Sequence, residues 1–362
     1  MTLLLNNVDL EPLIAPAEFI ESLDKAYRAY ALGEDGICAP RIDIQSAEMT
    51  PQMNYQLGLA VGMSDKYAAL RIKSDVVTRS LLDGKARKDK YCVEPGTYMG
   101  LVLLFNRGNG ELLAILHDGL LQKMRVGADS ALGIRYMARE NAHVVGILGS
   151  GGMARAHVAA VSKVRRVDKI RIYSPNRQNR ENFADEIKRS HDIDAVAVES
   201  PEMVYEGADV VSSCASAIGP VIHGEYLKPG MHVTCIGGAL DQAANAKIGK
   251  ALRFGTAPAP AELPDVSFEG ECITFSQSGG KAAHGGTGRY ANIPADRHVS
   301  FAALIQDPAL GRQNDDQITF SERGNIHGVQ FAAIAGLLFE RAQKAGVGER
   351  LSSEMFLQSI RN

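Results

Sequence analysis

The spacing of hydrophobic residues divides this chain into stretches of different character. Between Pro16 and Leu32, and again between Ile326 and Ala345, apolar side chains recur every three or four residues. This spacing is typical of helices that bury one face. The pattern therefore predicts one core helix near each end of the chain.

The segment after the first predicted helix favours strands. Short apolar or alternating runs occupy Tyr55 to Met63, Tyr67 to Val77 and Met99 to Asn106. The pair Asn109-Gly110 then separates two apolar runs, as in a hairpin turn. These runs predict an antiparallel sheet.

From Arg125 onward, helical and strand patterns alternate. Strands are predicted at Val144 to Leu148, Lys169 to Tyr173, Asp209 to Ser213, His232 to Ile236 and Gln317 to Phe320. This alternation indicates an α/β fold with a parallel sheet.

A glycine-rich turn follows the first of these strands. Gly149 permits a tight turn, Gly151 lets the backbone approach a pyrophosphate, and Ala154 lets helix and strand pack closely. The helix N-terminus that follows offers N–H groups to phosphates. An ordinary strand-to-helix turn is the alternative, but the second strand arrives where a βαβ unit would place it. The candidate cofactor-binding residues are Gly149, Ser150, Gly151, Gly152, Met153 and Ala154 at the turn, and Ser213, Cys214 and Ala215 at a later strand end.

The end of the second strand bears on which dinucleotide binds. Ser174, Asn176 and Arg177 follow Tyr173, with no acid placed to bind the 2′-hydroxyl of NAD. These side chains can donate hydrogen bonds and positive charge to a 2′-phosphate. The sequence therefore favours NADP(H), with NAD(H) as the alternative cofactor. The alternative is that these residues form a polar loop with a solvated arginine and have no role in binding.

Composition and charge argue against several classes of partner. Hydrophobic residues make up 45% and charged residues 22% of the 362 residues, and the formal net charge is -3. These values are ordinary for a globular protein, and no basic tract indicates nucleic acid or an anionic membrane as a partner. No apolar run approaches the roughly 20 residues that span a bilayer.

The cysteines and the first residues bear on localisation. Asp9 and Glu11 interrupt the apolar opening, which has no basic region, so no secretion signal is predicted. Five widely spaced cysteines show no metal-ligand spacing. We therefore expect a reducing cytoplasmic environment and no metal site.

One stretch has no regular pattern. Pro258 to Thr287 is rich in Gly, Pro, Ser and Ala, which predicts an irregular excursion within an insertion over 258–300. The segment could be a lid over a site or a surface insertion without a role, and the sequence leaves both alternatives open.

Four motifs, in order, resemble the ornithine cyclodeaminase and mu-crystallin family over most of the chain. They are Pro40-Arg41, Ala69-Leu70-Arg71-Ile72-Lys73, Arg125 to Ala131, and Gly149 to Ala154. The resemblance implies a homodimer and a Rossmann-type dinucleotide-binding domain inserted in an α+β substrate-binding and dimerisation domain. We assign 1–124 to the first part of the substrate domain, 125–322 to the Rossmann domain, and 323–362 to a helical segment that returns to the first domain.

Three cations in these motifs suit an imino acid substrate. Arg41 and Arg125 can hold an α-carboxylate by paired hydrogen bonds and so place the C=N carbon over a nicotinamide. Lys73 lies on an apolar strand, where a partly dry pocket with two nearby arginines would favour its neutral form. It could then share a proton with the substrate nitrogen or serve as a third carboxylate contact. The alternative is that each is a surface or snorkelling cation.

Departures from the family pattern affect the choice of reaction. The cyclodeaminases carry an aspartate directly after the Gly-Gly of a strand-end loop, whereas Ala239 stands there in this chain. The nearest acid is Asp241, which stays a candidate catalytic residue. Val126 replaces a threonine that would usually meet the pyrophosphate.

These residues predict an NADP(H)-dependent oxidoreductase that reduces the C=N bond of a small imino acid or oxidises the corresponding amino acid. The alternatives are a cyclodeaminase-type lyase that uses nicotinamide catalytically, and a crystallin-like protein that binds the nucleotide without turnover.

Overall fold

The computed structural model describes residues 1–50, 53–82, 85–217, 219–255, 268–269, 272–276, 292–322 and 326–360. In these ranges the chain forms a mixed α/β fold with two large sheets. The α-helices are α1 Asn7–Leu10, α2 Pro16–Leu32, α3 Asp118–Met137, α4 Gly152–Val161, α5 Arg177–His191, α6 Gln242–Lys247, α7 Phe301–Gln306 and α8 His327–Ala345. Short 3-10 helices lie at Glu11–Leu13, Glu202–Tyr205, Ala295–Arg297, Pro308–Leu310 and Ser353–Met355.

The first sheet is mostly antiparallel and has twelve strands. Its main path runs β18-β19-β3-β4-β5-β8-β9-β1-β22, with β2 on β4, β6 on β5, and β7 on β6. The bounds are β1 Thr2–Leu5, β2 Ile37–Cys38, β3 Arg41–Gln45, β4 Met53–Ser64, β5 Tyr67–Leu82, β6 Lys85–Cys92, β7 Glu94–Pro95, β8 Met99–Asn106, β9 Leu112–His117, β18 Phe268–Glu269, β19 Cys272–Ser276 and β22 Glu349–Leu351.

Helix α8 packs on the inner face of this sheet because glycines let the backbones approach. A Cβ atom at Gly62 would lie 2.8 Å from the Cα atom of Gly328. A Cβ atom at Gly336 would lie 2.3 Å from the ring of Tyr67. Core side chains beneath the helices include Ala60, Ala69, Val102, Leu104, Ala114 and Leu116.

The second sheet is parallel and has the order of a doubly wound dinucleotide-binding fold. Its strands run β12-β11-β10-β13-β15-β21-β17-β20. The first five positions match the 3-2-1-4-5 order, in which ligands bind where the order reverses. The bounds are β10 Val144–Leu148, β11 Lys169–Tyr173, β12 Asp194–Ala197, β13 Val210–Cys214, β15 His232–Gly237, β17 Lys250–Arg253, β20 His298–Ser300 and β21 Thr319–Ser321. Strands β14 Pro220–Ile222 and β16 Ala239–Leu240 form a separate pair.

Helix α3 connects the two sheets. It follows β9 of the first sheet and packs against α4 of the second, where a Cβ atom at Gly127 would lie 2.5 Å from the Ala156 carbonyl oxygen. Farther along, a Cβ atom at Gly133 would lie 2.1 Å from Ser321 Oγ. Both glycines are thus close-packing positions that permit α3 to reach the second sheet.

Several predicted elements agree with the structure. Helix α2 and strands β8, β10 and β11 have the predicted bounds, and β8 and β9 form the predicted hairpin, with Gly110 at a φ of 78°. The predicted boundary between residues 124 and 125, however, falls inside α3. The inserted arrangement of domains stays a prediction.

The predicted irregular excursion lies largely outside the described residues, and its described part is not irregular. Strands β18 and β19 pair with each other, and β19 runs parallel to β3 in the first sheet. This part of the predicted 125–322 domain therefore belongs to the sheet of the first domain. Within the described ranges, no helix is long and apolar enough to cross a bilayer.

Candidate active site

Lys73 lies in a row of four residues on the inner face of the first sheet. Asp43, Gly58, Lys73 and Gly100 face one another across β3, β4, β5 and β8. A Cβ atom at Gly58 would lie 3.0 Å from Asp43 Oδ1 and 3.6 Å from Lys73 Cε, so both neighbouring side chains extend over this glycine. The space above the two glycines beside Lys73 is thus occupied by neighbouring side chains, those of Asp43 and Lys73 at Gly58 and those of Asp118 and Tyr98 at Gly100.

Lys73 and Lys90 share one buried carboxylate. Lys73 Nζ lies 3.3 Å from Asp75 Oδ1, and Lys90 Nζ lies 2.9 Å from Asp75 Oδ2. The Asp75 side chain has no exposed surface. A buried carboxylate needs a compensating charge, and the two lysines supply it. The sequence predicted arginines near Lys73 but not the buried carboxylate of Asp75, which the structure places beside it.

Arg71, on the same strand and face as Lys73, lies next to Arg125. Both guanidinium groups lie against Phe331, whose ring centroid is 5.6 Å from Arg71 Cζ and 5.0 Å from Arg125 Cζ. Arg71 donates from Nε and Nη2 to Asp118 Oδ2, at 2.9 and 2.5 Å. These contacts connect the strand of Lys73 to Arg125 on α3.

Tyr98 adds a hydroxyl to this cluster. Burial, followed by the charge of Asp118, raises the pKa of Tyr98 to about 12, although Arg71 and Arg125 act in the opposite direction. The hydroxyl therefore keeps its proton at neutral pH and can donate a hydrogen bond.

The other two predicted substrate-binding residues already have hydrogen-bond partners. Arg125 donates from Nε and Nη2 to Gln122 Oε1, at 3.2 and 3.0 Å, and from Nη1 to Gln330 Oε1. Arg41 Nη2 lies 2.5 Å from Asp43 Oδ2. Arg41 and Lys73 thus lie on one sheet, and Arg125 on α3 contacts the same Phe331 ring as Arg71 of that sheet.

The glycine turn has the shape that a dinucleotide requires. Gly149 has a φ of 123°, and a Cβ atom there would lie 2.8 Å from the Cys214 carbonyl oxygen. Gly151 is the N-cap of α4, has no side chain to cap the helix N–H groups, and has open space around its Cβ position. A pyrophosphate can therefore approach the first N–H groups of α4.

Lys123 brings a cation to this turn. A Cβ atom at Gly152 would lie 2.9 Å from Lys123 Cε and 3.2 Å from its Nζ atom. Among the described residues, no hydrogen bond or ion pair engages Lys123. It lies one turn before Val126, which has no hydroxyl to offer a phosphate. Lys123 was not predicted from the sequence, because a lysine at an exposed helix position is ordinary.

The residues predicted to bind the adenosine end cluster at the end of β11. Ser150 Oγ donates to Ser174 Oγ at 2.9 Å, and the Asn176 side chain caps α5 by accepting from Asn179 N at 2.8 Å. Arg177 is 72% exposed and pairs with Glu181 at 2.7 Å. A bound 2′-phosphate would therefore compete with Glu181 for Arg177.

The ends of β13 and β15 meet beside the glycine turn. Ser213 Oγ donates to the Gly237 carbonyl oxygen at 2.7 Å, and Ala215 N would lie 3.4 Å from a Cβ atom at Gly149. Burial raises the pKa of Cys214 to about 12, which keeps its thiol neutral. Ala154 is fully buried behind the turn, while Met153 contributes a carbonyl oxygen 2.8 Å from His157 Nδ1.

Comparison with known proteins identifies the family. The model of the Ornithine cyclodeaminase/mu-crystallin family matches residues 6–344. The chain belongs to this family.

Similar members include a Delta(1)-pyrroline-2-carboxylate reductase of Bacillus cereus, which is 27% identical over 258 residues, or 70% of this chain and 74% of the relative. A solved Thermococcus litoralis Delta(1)-pyrroline-2-carboxylate reductase in complex with NADH and L-proline is 24% identical, with a TM-score of 0.73 over 97% of this chain and 100% of that chain. An archaeal alanine dehydrogenase dimer with bound NAD is 20% identical, with a TM-score of 0.71 over 97% and 99% of the two chains. The two structures show the shared fold.

Asp241, which stands two residues after the position of the aspartate in the family's cyclodeaminases, is the N-cap of α6. Its Oδ1 atom accepts from Ala244 N at 2.7 Å and Gly224 N at 3.1 Å, and its Oδ2 atom lies 3.1 Å from His223 Nδ1. Burial acts to raise its pKa, but these partners together lower it. The structure gives this carboxylate a capping role, and its catalytic role stays a prediction.

Sequence reasoning missed several residues of the candidate site. Arg71 and Asp75 lie two positions on either side of Lys73, so the two-residue period of a strand places all three on one face. That signal was available in the sequence. Asp118 and Gln330 had no comparable local signal, because only the docking of α3 and α8 on the sheet brings them to this face. Among the described residues, no group of three His, Cys, Asp or Glu side chains could hold a metal ion.

Proposed function

We propose that this protein is an NADP(H)-dependent oxidoreductase that reduces the C=N bond of a small imino acid bearing an α-carboxylate. The observation that carries the proposal is the position of Lys123 and Arg125 on one helix. Lys123 lies at the open glycine turn, and Arg125 lies at the cationic face of the first sheet. A single rigid element thus connects a nucleotide-binding turn to a carboxylate-binding cluster.

The charges of this face suit an anionic substrate. Five cations, Arg41, Arg71, Lys73, Lys90 and Arg125, accompany three carboxylates, Asp43, Asp75 and Asp118. The excess of positive charge attracts a carboxylate from solution. Arg41 and Arg125 are proposed to hold this group, since guanidinium groups bind carboxylates with two parallel hydrogen bonds.

Lys73 is proposed to supply the proton. When bound, the reduced nicotinamide supplies a hydride to the imine carbon. The ammonium of Lys73, which pairs with Asp75, can donate to the imine nitrogen and so make the C=N carbon more electrophilic. The nitrogen then keeps the proton, and the product is an amino acid.

The preference for NADP(H) is part of the proposal. It is supported by Arg177 and Ser174 at the end of β11, where no acid stands at the position that binds the 2′-hydroxyl of NAD. Glu181 would have to release Arg177 to a bound 2′-phosphate. The two related structures are described with NADH and with NAD. The proposed preference for NADP(H) therefore depends on the residues of this chain alone.

A turnover assay tests the function. Purified protein is incubated with NADPH and a panel of imino acids that includes Δ1-pyrroline-2-carboxylate, the substrate in the name of the Bacillus cereus relative. We expect net oxidation of NADPH and formation of the amino acid. Ammonia release from an amino acid without net change in nicotinamide would instead show a cyclodeaminase, and tight NADPH binding without either reaction would show a binding protein.

A variant of Asp241 distinguishes the two candidate reactions, imine reduction and cyclodeamination. Asn is also an effective N-cap residue, so Asp241→Asn should retain folding while it removes the carboxylate. A reductase that relies on Lys73 should keep its turnover in this variant, whereas a lyase that uses Asp241 as base should lose it.

We also propose that the protein is a homodimer. The outer face of the first sheet is apolar and partly exposed at Ile44, Tyr55, Val61 and Met99, with exposed fractions of 41, 37, 41 and 54%. An apolar patch of this extent on a sheet is typical of a protein interface. A second copy of the same face is the partner that the family resemblance favours.

A further inference from the structure

A buried chain of hydrogen bonds leads from Arg125 into the helical layer. Arg125 Nη1 donates to Gln330 Oε1, Gln330 Nε2 donates to Tyr27 Oη, and Tyr27 Oη donates to Asp129 Oδ1. Tyr27 and Gln330 have no exposed surface, and Asp129 and Arg125 are 2% and 5% exposed. The chain joins α3, α8 and α2. We call Asp129, Tyr27 and Gln330 the buried relay.

The relay has one hydrogen-bond polarity. A carboxylate can only accept, so the hydroxyl proton of Tyr27 is directed to Asp129. The Tyr27 oxygen then accepts from the amide nitrogen of Gln330, which turns the amide oxygen toward Arg125. Burial, followed by the charge of Asp129, raises the pKa of Tyr27 well above its usual value, so this hydroxyl keeps its proton.

The direction of these hydrogen bonds determines which atom of the Gln330 amide faces Arg125. With the amide oxygen of Gln330 on one side and that of Gln122 on the other, the guanidinium donates to two acceptors. The ring of Phe331, 5.0 Å away, packs on its face. A reversed Gln330 amide would place donors against donors, which is repulsive, and the guanidinium would have to turn.

We propose that Asp129, Tyr27 and Gln330 are positioning residues that hold the guanidinium of Arg125 in the orientation in which it binds the substrate carboxylate. This inference rests on the proposed function. Its consequence is that substrate affinity depends on the carboxylate of Asp129, which is connected to Arg125 through Tyr27 and Gln330.

Two variants test the relay. Asp129→Asn keeps the side-chain volume but can donate as well as accept, so it no longer dictates the direction of the Tyr27 hydroxyl. Tyr27→Phe removes the central hydroxyl. In both we expect the KM for Δ1-pyrroline-2-carboxylate to rise about tenfold, the scale of one hydrogen bond to a charged group. The kcat should change much less, and the Kd for NADPH should stay the same.

Tyr136→Phe is the matched control. Tyr136 on α3 donates to Asp24 on α2 at 2.6 Å, so the variant removes another tyrosine–aspartate bond across the same pair of helices. That bond does not involve Arg125, and we expect the KM to stay at the wild-type value. A KM rise of equal size in Tyr136→Phe, or a wild-type KM in both relay variants, would overturn the inference.

A structural measurement separates this inference from the proposed function. If the wild-type protein reduces no imino acid, the proposed function fails. Crystal structures of the wild type and of Asp129→Asn then test the relay alone. We expect the Arg125 guanidinium to turn in the variant, and an unchanged guanidinium in a folded Asp129→Asn protein would contradict the relay.

Discussion

The ammonium of Lys73 lies 3.3 Å from the carboxylate of Asp75, a side chain without exposed surface. The same carboxylate lies 2.9 Å from Lys90. Removing either lysine therefore leaves Asp75 with one cation rather than none. This arrangement lets the chemical role of Lys73 be tested without leaving a buried charge uncompensated.

The first prediction concerns proton donation by Lys73. Lys73→Met keeps the length and apolar contacts of the side chain but removes its charge and N–H donors. We expect turnover of an accepted imino acid to fall by about a hundredfold or more, the range of proton-transfer and charge-stabilising groups. NADPH binding, measured by fluorescence titration, should persist because the glycine turn lies on the other sheet.

Lys90→Met is the comparison variant, since it removes the other cation of Asp75. We expect a much smaller loss of turnover, because Lys73 and its ion pair with Asp75 remain. Equal losses in the two variants would indicate that the charge balance of Asp75, and not Lys73 itself, controls the rate. A loss of folding in Lys73→Met would favour a structural role.

The second prediction concerns recognition of the 2′-phosphate. Arg177→Ala should weaken NADPH binding by roughly tenfold, the lower end of the range for a charge-assisted contact, because Arg177 is exposed and already pairs with Glu181. NADH binding should be unchanged. Glu181→Gln is the opposite test, since it frees Arg177 and removes a repelling carboxylate, so NADPH should bind more tightly. Equal effects on both nucleotides would refute the assignment.

The third prediction concerns the pyrophosphate. Lys123→Met should weaken NADH and NADPH binding by the same factor, up to about tenfold, because both nucleotides carry a pyrophosphate at the α4 N-terminus. Lys163, just beyond the other end of α4, provides the control Lys163→Met, which should bind both normally. A change in the ratio of the two affinities would place Lys123 at the 2′-phosphate instead.

The fourth prediction concerns assembly. Val61→Lys places a charge in the middle of the outer face of the first sheet, where burial against a second copy would be costly. We expect analytical ultracentrifugation to show a dimer for the wild type and a shift toward monomer for the variant. Val8→Lys changes an exposed valine of α1, with 78% of its surface exposed, and should leave the dimer intact. A monomeric wild-type protein would contradict the proposed homodimer.

The local features of this chain were predictable from its sequence because they depend on neighbouring residues. The period of apolar residues identifies α2 and β8 with their observed bounds, since it records which face of each element is buried. The turn at Gly149 is equally local, because its φ of 123° suits a residue without a Cβ atom. The family was recognisable from the sequence because its motifs are also short stretches of neighbouring residues.

The pairing of distant charges was decided by the tertiary structure. Asp118 meets Arg71 only because α3 docks beside β5, and Gln330, separated by 205 positions from Arg125, meets it only because α8 lies on the same sheet. Strand β19 joins β3 by register and not by any local pattern. Apolar periodicity specifies which residues are buried. Which buried donor meets which acceptor depends on strand register and helix docking, and these determine the surroundings of Lys73 and Arg125.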